Sequence, residues 1–121
     1  MNKLKILIID DEQQDIKAIS TALRREGYTE ISTADTGAKG VETANSFKPG
    51  LVLIDVVLNG IDGFDICRQI EAIEGIRPKI VMITGHLDAI DAKKARESGA
   101  DEIIEKTPGF ESMIKAVKNL A

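Results

Sequence analysis

Five positions in this sequence carry side chains suited to chemistry rather than packing: the adjacent acids Asp10 and Asp11, then Asp55, Thr84 and Lys106. Each ends or closely follows an apolar run. Residues 6–9 precede Asp10, 51–54 precede Asp55, 80–83 precede Thr84, and Ile103-Ile104 lies just ahead of Lys106. Three carboxylates brought close together repel one another, and no packing gain offsets that. Such a cluster makes sense around a hard cation. Mg²⁺ fits best, because it takes few carboxylates, keeps several waters and leaves room for phosphate oxygens. Lys106 would add a point charge and Thr84 a hydroxyl, both suited to an incoming phosphoryl group.

The elements that must position these residues are legible as alternating patterns. Leu51–Asp55 is an apolar run without alternation, which reads as a strand buried on both faces of a parallel sheet. Residues 4–9 read as a first strand in the same way. Ile16, Ile19, Ala22 and Leu23 then recur at helical spacing, with Glu12 and Asp15 in the first turn, where the helix dipole favours acids, and Gly27 as a stop. A second strand is expected over 29–34. Asp35 or Thr36 caps the next helix, whose inner face reads as Ala38, Val41 and Ala44. Lys48-Pro49-Gly50 breaks it. After Asp55, the Asn59-Gly60 step and Gly63 mark a loop. A third helix has Phe64, Cys67 and Ile70 on one face. Lys79–Thr84 is a fourth strand, and the helix over 87–98 is thinly anchored by Leu87, Ile90, Ala92 and Ala95. A fifth strand over 101–106 leads to a last helix that Thr107 caps and Pro108 opens, with Phe110, Met113, Ile114, Val117 and Leu120 as its apolar set.

Five strand–helix alternations imply an α/β fold, a parallel sheet with helices on both faces, in a single domain over 1–121. All strand ends then open on one edge, where open α/β sheets keep their ligand sites. That edge would bring Asp10, Asp11, Asp55, Thr84 and Lys106 together.

Composition narrows the classes of function. At 121 residues, 43% hydrophobic and 30% charged, the sequence is that of a globular domain able to bury a core without disulfides. Its apolar runs fall far short of the roughly 20 residues a membrane helix needs. The N-terminus shows no signal-peptide pattern, and one cysteine is consistent with a reducing, cytoplasmic setting. A net charge of −4 and 3% aromatic residues argue against direct nucleic-acid contact.

Ile9-Asp10-Asp11-Glu12, Leu53-Ile54-Asp55, Gly60-Ile61-Asp62-Gly63, Ile83-Thr84 and Ser98-Gly99-Ala100-Asp101 leading to Lys106 form an ordered set. On these motifs the chain resembles the receiver domain of two-component response regulators, of the chemotaxis-regulator kind, across essentially its whole length. The resemblance implies a flavodoxin-like, doubly wound five-stranded sheet of order 2-1-3-4-5. It implies that Asp55 is the phosphoacceptor, taking its phosphoryl group from a phosphohistidine on a sensor histidine kinase or phosphotransfer protein. Asp11 and Asp55 would ligate Mg²⁺ directly and Asp10 through water, with the Val57 backbone carbonyl completing the protein's share. Thr84 and Lys106 would contact the phosphoryl group, and Val57 and His86 are candidate modulators of its hydrolysis. The surface of helix 4, strand 5 and helix 5 would then change toward an output protein, a fused output domain or a second copy in a dimer. The only reaction would be phosphorylation and dephosphorylation of its own aspartate, so the chain is no enzyme toward other substrates.

The chain departs from the family pattern at several places. Ile103 stands where an aromatic switch residue is usual, Thr107 separates Lys106 from Pro108, Asn59 replaces a proline and Gly85 an alanine. The Lys106–Thr107 bond is expected to be trans, since a cis form costs about 2.5–4 kcal/mol. The single histidine, His86, reads first as a solvent-facing loop residue, and Cys67 as packing. Two other classes compete. A flavodoxin-like cofactor binder is disfavoured by Asp10-Asp11-Glu12, where a phosphate cradle needs small residues. A vestigial receiver acting as a phosphorylation-independent interaction module is the alternative.

Overall fold

A computed structural model describes residues 2–121. Eight-residue strand β1 (Asn2–Ile9) leads to α1 (Gln13–Arg25), β2 (Tyr28–Ala34), α2 (Gly37–Phe47) and β3 (Leu51–Asp55). Then follow α3 (Gly63–Glu71), β4 (Lys79–Thr84), α4 (Ala89–Glu97), β5 (Glu102–Glu105) and α5 (Glu111–Leu120). The five strands form one sheet in the order β2-β1-β3-β4-β5, every pairing parallel. The expected order and the covering of both faces are borne out.

The three inner strands are the most apolar. Ile6, Leu7, Ile8 and Ile9 of β1, Leu51 to Ile54 of β3 and Ile80 to Ile83 of β4 are all buried. Alternate residues of each run face opposite ways, so one run feeds two cores. Ile6, Ile8, Leu53 and Val81 pack with Ile19 and Leu23 of α1 and Met113 and Val117 of α5. Leu7, Ile9, Ile54 and Met82 pack with Phe64, Cys67 and Ile70 of α3, Ala44 of α2 and Ala95 of α4. Burying one such side chain contributes about 1.5–3 kcal/mol, so these paired layers supply the main stabilisation. The chain runs from β1 out to β2 and returns across β1 to β3. Right-handed crossovers therefore put α1 and α2 on opposite faces and leave a crevice beyond β1 and β3.

Four local readings are corrected. The buried face of α2 is Gly37, Gly40 and Ala44, while Ala38 is exposed. A Cβ at Gly40 would fall 2.5 Å from Ile9 Cδ1, so this helix lies closer to the sheet than an alanine face permits. The segment after Asp55 is no open loop. Val57–Leu58 and Ile61–Asp62 pair as a short antiparallel ribbon, with Asn59 and Gly60 both at positive φ (52° and 84°) in the turn. Asn-Gly favours the left-handed pair such a tight hairpin needs. Helix α4 starts two residues later than expected, because the Asp88 carboxylate accepts from the Asp91 amide and sets its N-cap. Finally, Thr107 makes no side-chain cap. Pro108–Phe110 form a 3₁₀ turn in which Gly109 and Phe110 take positive φ, and α5 begins only at Glu111.

The fifth strand stops at Glu105, and Asp101 lies ahead of it as a loop residue whose carboxylate accepts from the Ile80 amide (2.8 Å). Among the described residues there is no cis peptide bond, as expected for Lys106–Thr107. No helix among the described residues is long and apolar enough to cross a membrane.

Candidate functional site

Asp10 follows the last residue of β1, and its amide donates to the Ala34 carbonyl of β2 (3.1 Å). That bond holds the residue at the sheet edge, where its carboxylate is 2% exposed and accepts from the Glu12 amide (2.9 Å). Asp55 ends β3, and its Oδ1 accepts from the Val57 amide (3.0 Å). Gly63 fixes the return of the chain beneath it, its amide donating to the Val56 carbonyl at 2.7 Å. One carboxylate oxygen each from Asp10, Asp11 and Asp55 lies within 4.8 Å of the others. The expected convergence of two strand ends is present.

Lys106 enters from the other side. Its backbone amide donates to the Thr84 carbonyl (2.7 Å), which carries the residue past the end of β5 toward the crevice. Its Nζ lies 3.4 Å from Asp55 Oδ2 and 3.6 Å from Asp10 Oδ2. The shortest contact of that amine is a different one, 2.7 Å to Asp15 Oδ2. Asp15 sits in the first turn of α1 and is the site residue that sequence reasoning missed: it reads there as a favourable partner of the helix dipole. The one available signal is its place four residues after Asp11, one helical turn along from the acidic pair.

The electrostatics follow from burial. Loss of water pushes the Asp10 carboxyl up to about 6, and the neighbouring charges of Asp55 and Asp15 add to it, while the Glu12 amide and Lys106 pull the other way. For Lys106, burial disfavours the ammonium, yet the hydrogen bond it donates to Asp15 and the charges of Asp10 and Asp55 outweigh it and hold the group firmly protonated. Three crowded carboxylates, one of them nearly dry, are the donor set that a small hard divalent ion matches. The residues present therefore fit a metal held by Asp10, Asp11 and Asp55.

Thr84 is 6% exposed, and its hydroxyl is turned onto its own loop. It donates to the His86 carbonyl (3.2 Å) and accepts from the His86 amide (3.3 Å). His86 itself is exposed at the rim. Leu87, next in the loop, donates its amide to Glu105 Oε1 of β5 (2.9 Å). Ile103 is half-buried against the α2–α4 core, and Val57 is 63% exposed on the ribbon. Cys67 is fully buried, its thiol pushed up to about 12 by burial and donating weakly to the Ser98 carbonyl, which fits packing.

Residues 6–118 match the family model of the response regulator receiver domain. The transcriptional regulatory protein AfsQ1 of Streptomyces coelicolor is 35% identical over 101 residues, 84% of this chain and 44% of that protein. The DNA-binding response regulator MtrA of Mycolicibacterium paratuberculosis is 35% identical over 102 residues, again 84% and 44%. This chain thus spans less than half the length of the curated relatives it matches. Among solved structures, the BeF3-activated N-terminal receiver domain of Klebsiella pneumoniae RstA superposes with a TM-score of 0.81 at 26% identity, covering 96% of each chain. Sheet order, family match and relatives agree, and the chain belongs to the response regulator receiver domain family.

Proposed function

We propose that Asp55 accepts a phosphoryl group from a phosphohistidine on a sensor histidine kinase or phosphotransfer protein. A carboxylate oxygen of Asp55 forms a bond to phosphorus as the donor's P–N bond breaks, and the imidazole leaves with the electron pair and takes up a proton. The observation that carries this reading is the meeting of Asp10, Asp11 and Asp55 within 4.8 Å with the Lys106 amine 3.4 Å from Asp55. Asp11 and Asp55 would hold Mg²⁺, with Asp10 acting through water and the Val57 carbonyl as a further ligand. When bound, the ion supplies positive charge to the phosphoryl oxygens. Lys106 orients and neutralises the same group, which is mostly a task of positioning and electrostatics. The chain turns over no other substrate.

Output follows from Thr84. To reach a phosphoryl group on Asp55 its hydroxyl must leave the His86 backbone, and that frees the loop that Glu105 ties to β5. A two-state loop of this kind changes the α4–β5–α5 surface presented to an output protein, a fused output domain or a second copy. Ile103 lies within that surface in place of a ring, so the loop rather than a rotating aromatic carries the change. Val57 and His86, both exposed beside the site, are the candidates for tuning access of hydrolytic water. In a longer protein like the relatives, contact with DNA would belong to an output domain rather than to this acidic chain. A cytoplasmic location suits such a module.

Incubation with Mg²⁺ and acetyl phosphate, read by intact mass, tests the reading. A gain of one phosphate that is lost with EDTA and in Asp55→Asn is expected. No gain in the unaltered chain would leave it as a phosphorylation-independent interaction module.

A further inference from the structure

Lys106 is shared unequally. Its amine makes a full charge-assisted hydrogen bond with Asp15 at 2.7 Å and stands at 3.4 Å from Asp55 and 3.6 Å from Asp10, at or beyond ordinary hydrogen-bond length. Asp15 belongs to α1 and Lys106 to the segment after β5, so the pair closes two elements 91 residues apart. The side chains are 32% and 22% exposed, which limits screening without abolishing it. Asp15 is not part of the three-carboxylate group that could hold a metal. It therefore contributes negative charge to the site without contributing a ligand.

We propose that Asp15 is a positioning residue that draws the Lys106 ammonium to the α1 side of the site and withholds part of its charge from a phosphoryl group at Asp55. This inference rests on Asp55 being the phosphoacceptor. An incoming phosphoryl group must recruit an amine already engaged by a carboxylate, and meets an extra negative charge beside it. Both effects weaken binding of the anionic donor and act on the same step. Asp15 thus sets how readily the domain takes up phosphate from donors, and its removal makes uptake easier.

The test compares unaltered protein, Asp15→Asn and Asp15→Glu, with Mg²⁺ and a range of acetyl phosphate concentrations, by intact mass. Asp15→Asn is expected to lower the half-saturating donor concentration by roughly three- to tenfold at low ionic strength, a factor that shrinks as salt is raised. Its saturating rate should change less. Asp15→Glu keeps the charge on the same helix face and should behave like the unaltered protein. A second readout needs no metal or donor: the Lys106 ammonium signal in NMR should be protected from exchange in the unaltered protein and in Asp15→Glu, and lose protection in Asp15→Asn. If the unaltered protein takes up phosphate but Asp15→Asn shows the same or weaker donor dependence, the inference fails and the phosphoacceptor reading stands. Equal gains in Asn and Glu variants would overturn it too, since charge would not be the cause. If the unaltered protein takes up no phosphate, the phosphoacceptor reading itself falls, and the inference with it.

Discussion

Gly63 runs against the Asp55 backbone so closely that a Cβ on it would lie 2.1 Å from the Asp55 carbonyl oxygen and 2.8 Å from that of Val56. The first residue of α3 is therefore packed directly beneath the proposed phosphoacceptor. Backbone atoms of a central strand cannot step aside as a flexible side chain would. Gly63→Ala should destabilise the fold by roughly 2–4 kcal/mol, as overpacking at a buried, rigid site does. Chemical denaturation measures this. A loss under about 0.5 kcal/mol would show that the ribbon and α3 shift freely relative to β3.

Asp10 imposes a pH dependence on the metal-free protein. Its folded-state value is raised by burial to about 6 from an ordinary 3.8, so the folded chain binds a proton more tightly than the unfolded chain. The contribution of this one group to stability is then fullest below about pH 4, falls as pH rises from about 4 to 6, and levels off above, a loss on the order of 3 kcal/mol. Asp10→Asn keeps an oxygen for the Glu12 amide and removes the charge. It should flatten that fall and raise the melting temperature at pH 8 in the absence of metal. Excess Mg²⁺ should restore stability to the unaltered protein and less to the variant. Melting curves across pH 4–8 with and without Mg²⁺ decide it, and equal pH slopes for the two proteins would be the contrary result.

Asp55→Asn removes one of the crowded charges but also a 3.4 Å partner of Lys106. Because Lys106 keeps Asp15 and Asp10, relief of repulsion wins, and the metal-free variant should gain about 1 kcal/mol at neutral pH. A lower melting temperature without Mg²⁺ would show that the Lys106 contact outweighs the repulsion.

The Leu87 amide is held by the Glu105 carboxylate across the gap between the β4–α4 loop and β5. Both groups are exposed, so Glu105→Ala should leave global stability within about 0.5 kcal/mol. Local opening is another matter. Amide exchange at Leu87 and His86 should quicken by about tenfold, matching loss of a hydrogen bond to a charged group of roughly 1.5 kcal/mol. Exchange rates unchanged by the substitution would mean that Thr84, rather than Glu105, secures the loop.

Much of the fold was present in one-dimensional pattern. Unbroken apolar runs at 6–9, 51–54 and 80–83, too short for helices and bounded by polar and turn residues, read as strands covered on both faces, and the intervening helical spacing points to a parallel sheet. Once the sheet is parallel, Asp10, Asp11, Asp55 and Lys106 must emerge on one edge, because every strand points the same way. Local chemistry was legible as well: the Thr36 hydroxyl does accept from the Lys39 amide at the start of α2.

What the tertiary structure alone decided are relationships between parts distant in the chain. The inward glycine face of α2 answers to the bulk of Ile9 at Gly40 and of Ile66 at Gly37, which no feature of 37–47 reveals. The late start of α5 depends on how the segment after Lys106 packs Phe110 onto the α1–α5 core. Asp15 has a complete local role at a helix N-terminus, and only the closing of α1 against the end of β5 gives it Lys106 as a partner. Periodicity encodes which face of an element is buried, since it depends on neighbours within a turn or two. The choice of ion-pair partner among several acids depends on distances set by packing, and those exist only once the sheet and its helices have assembled.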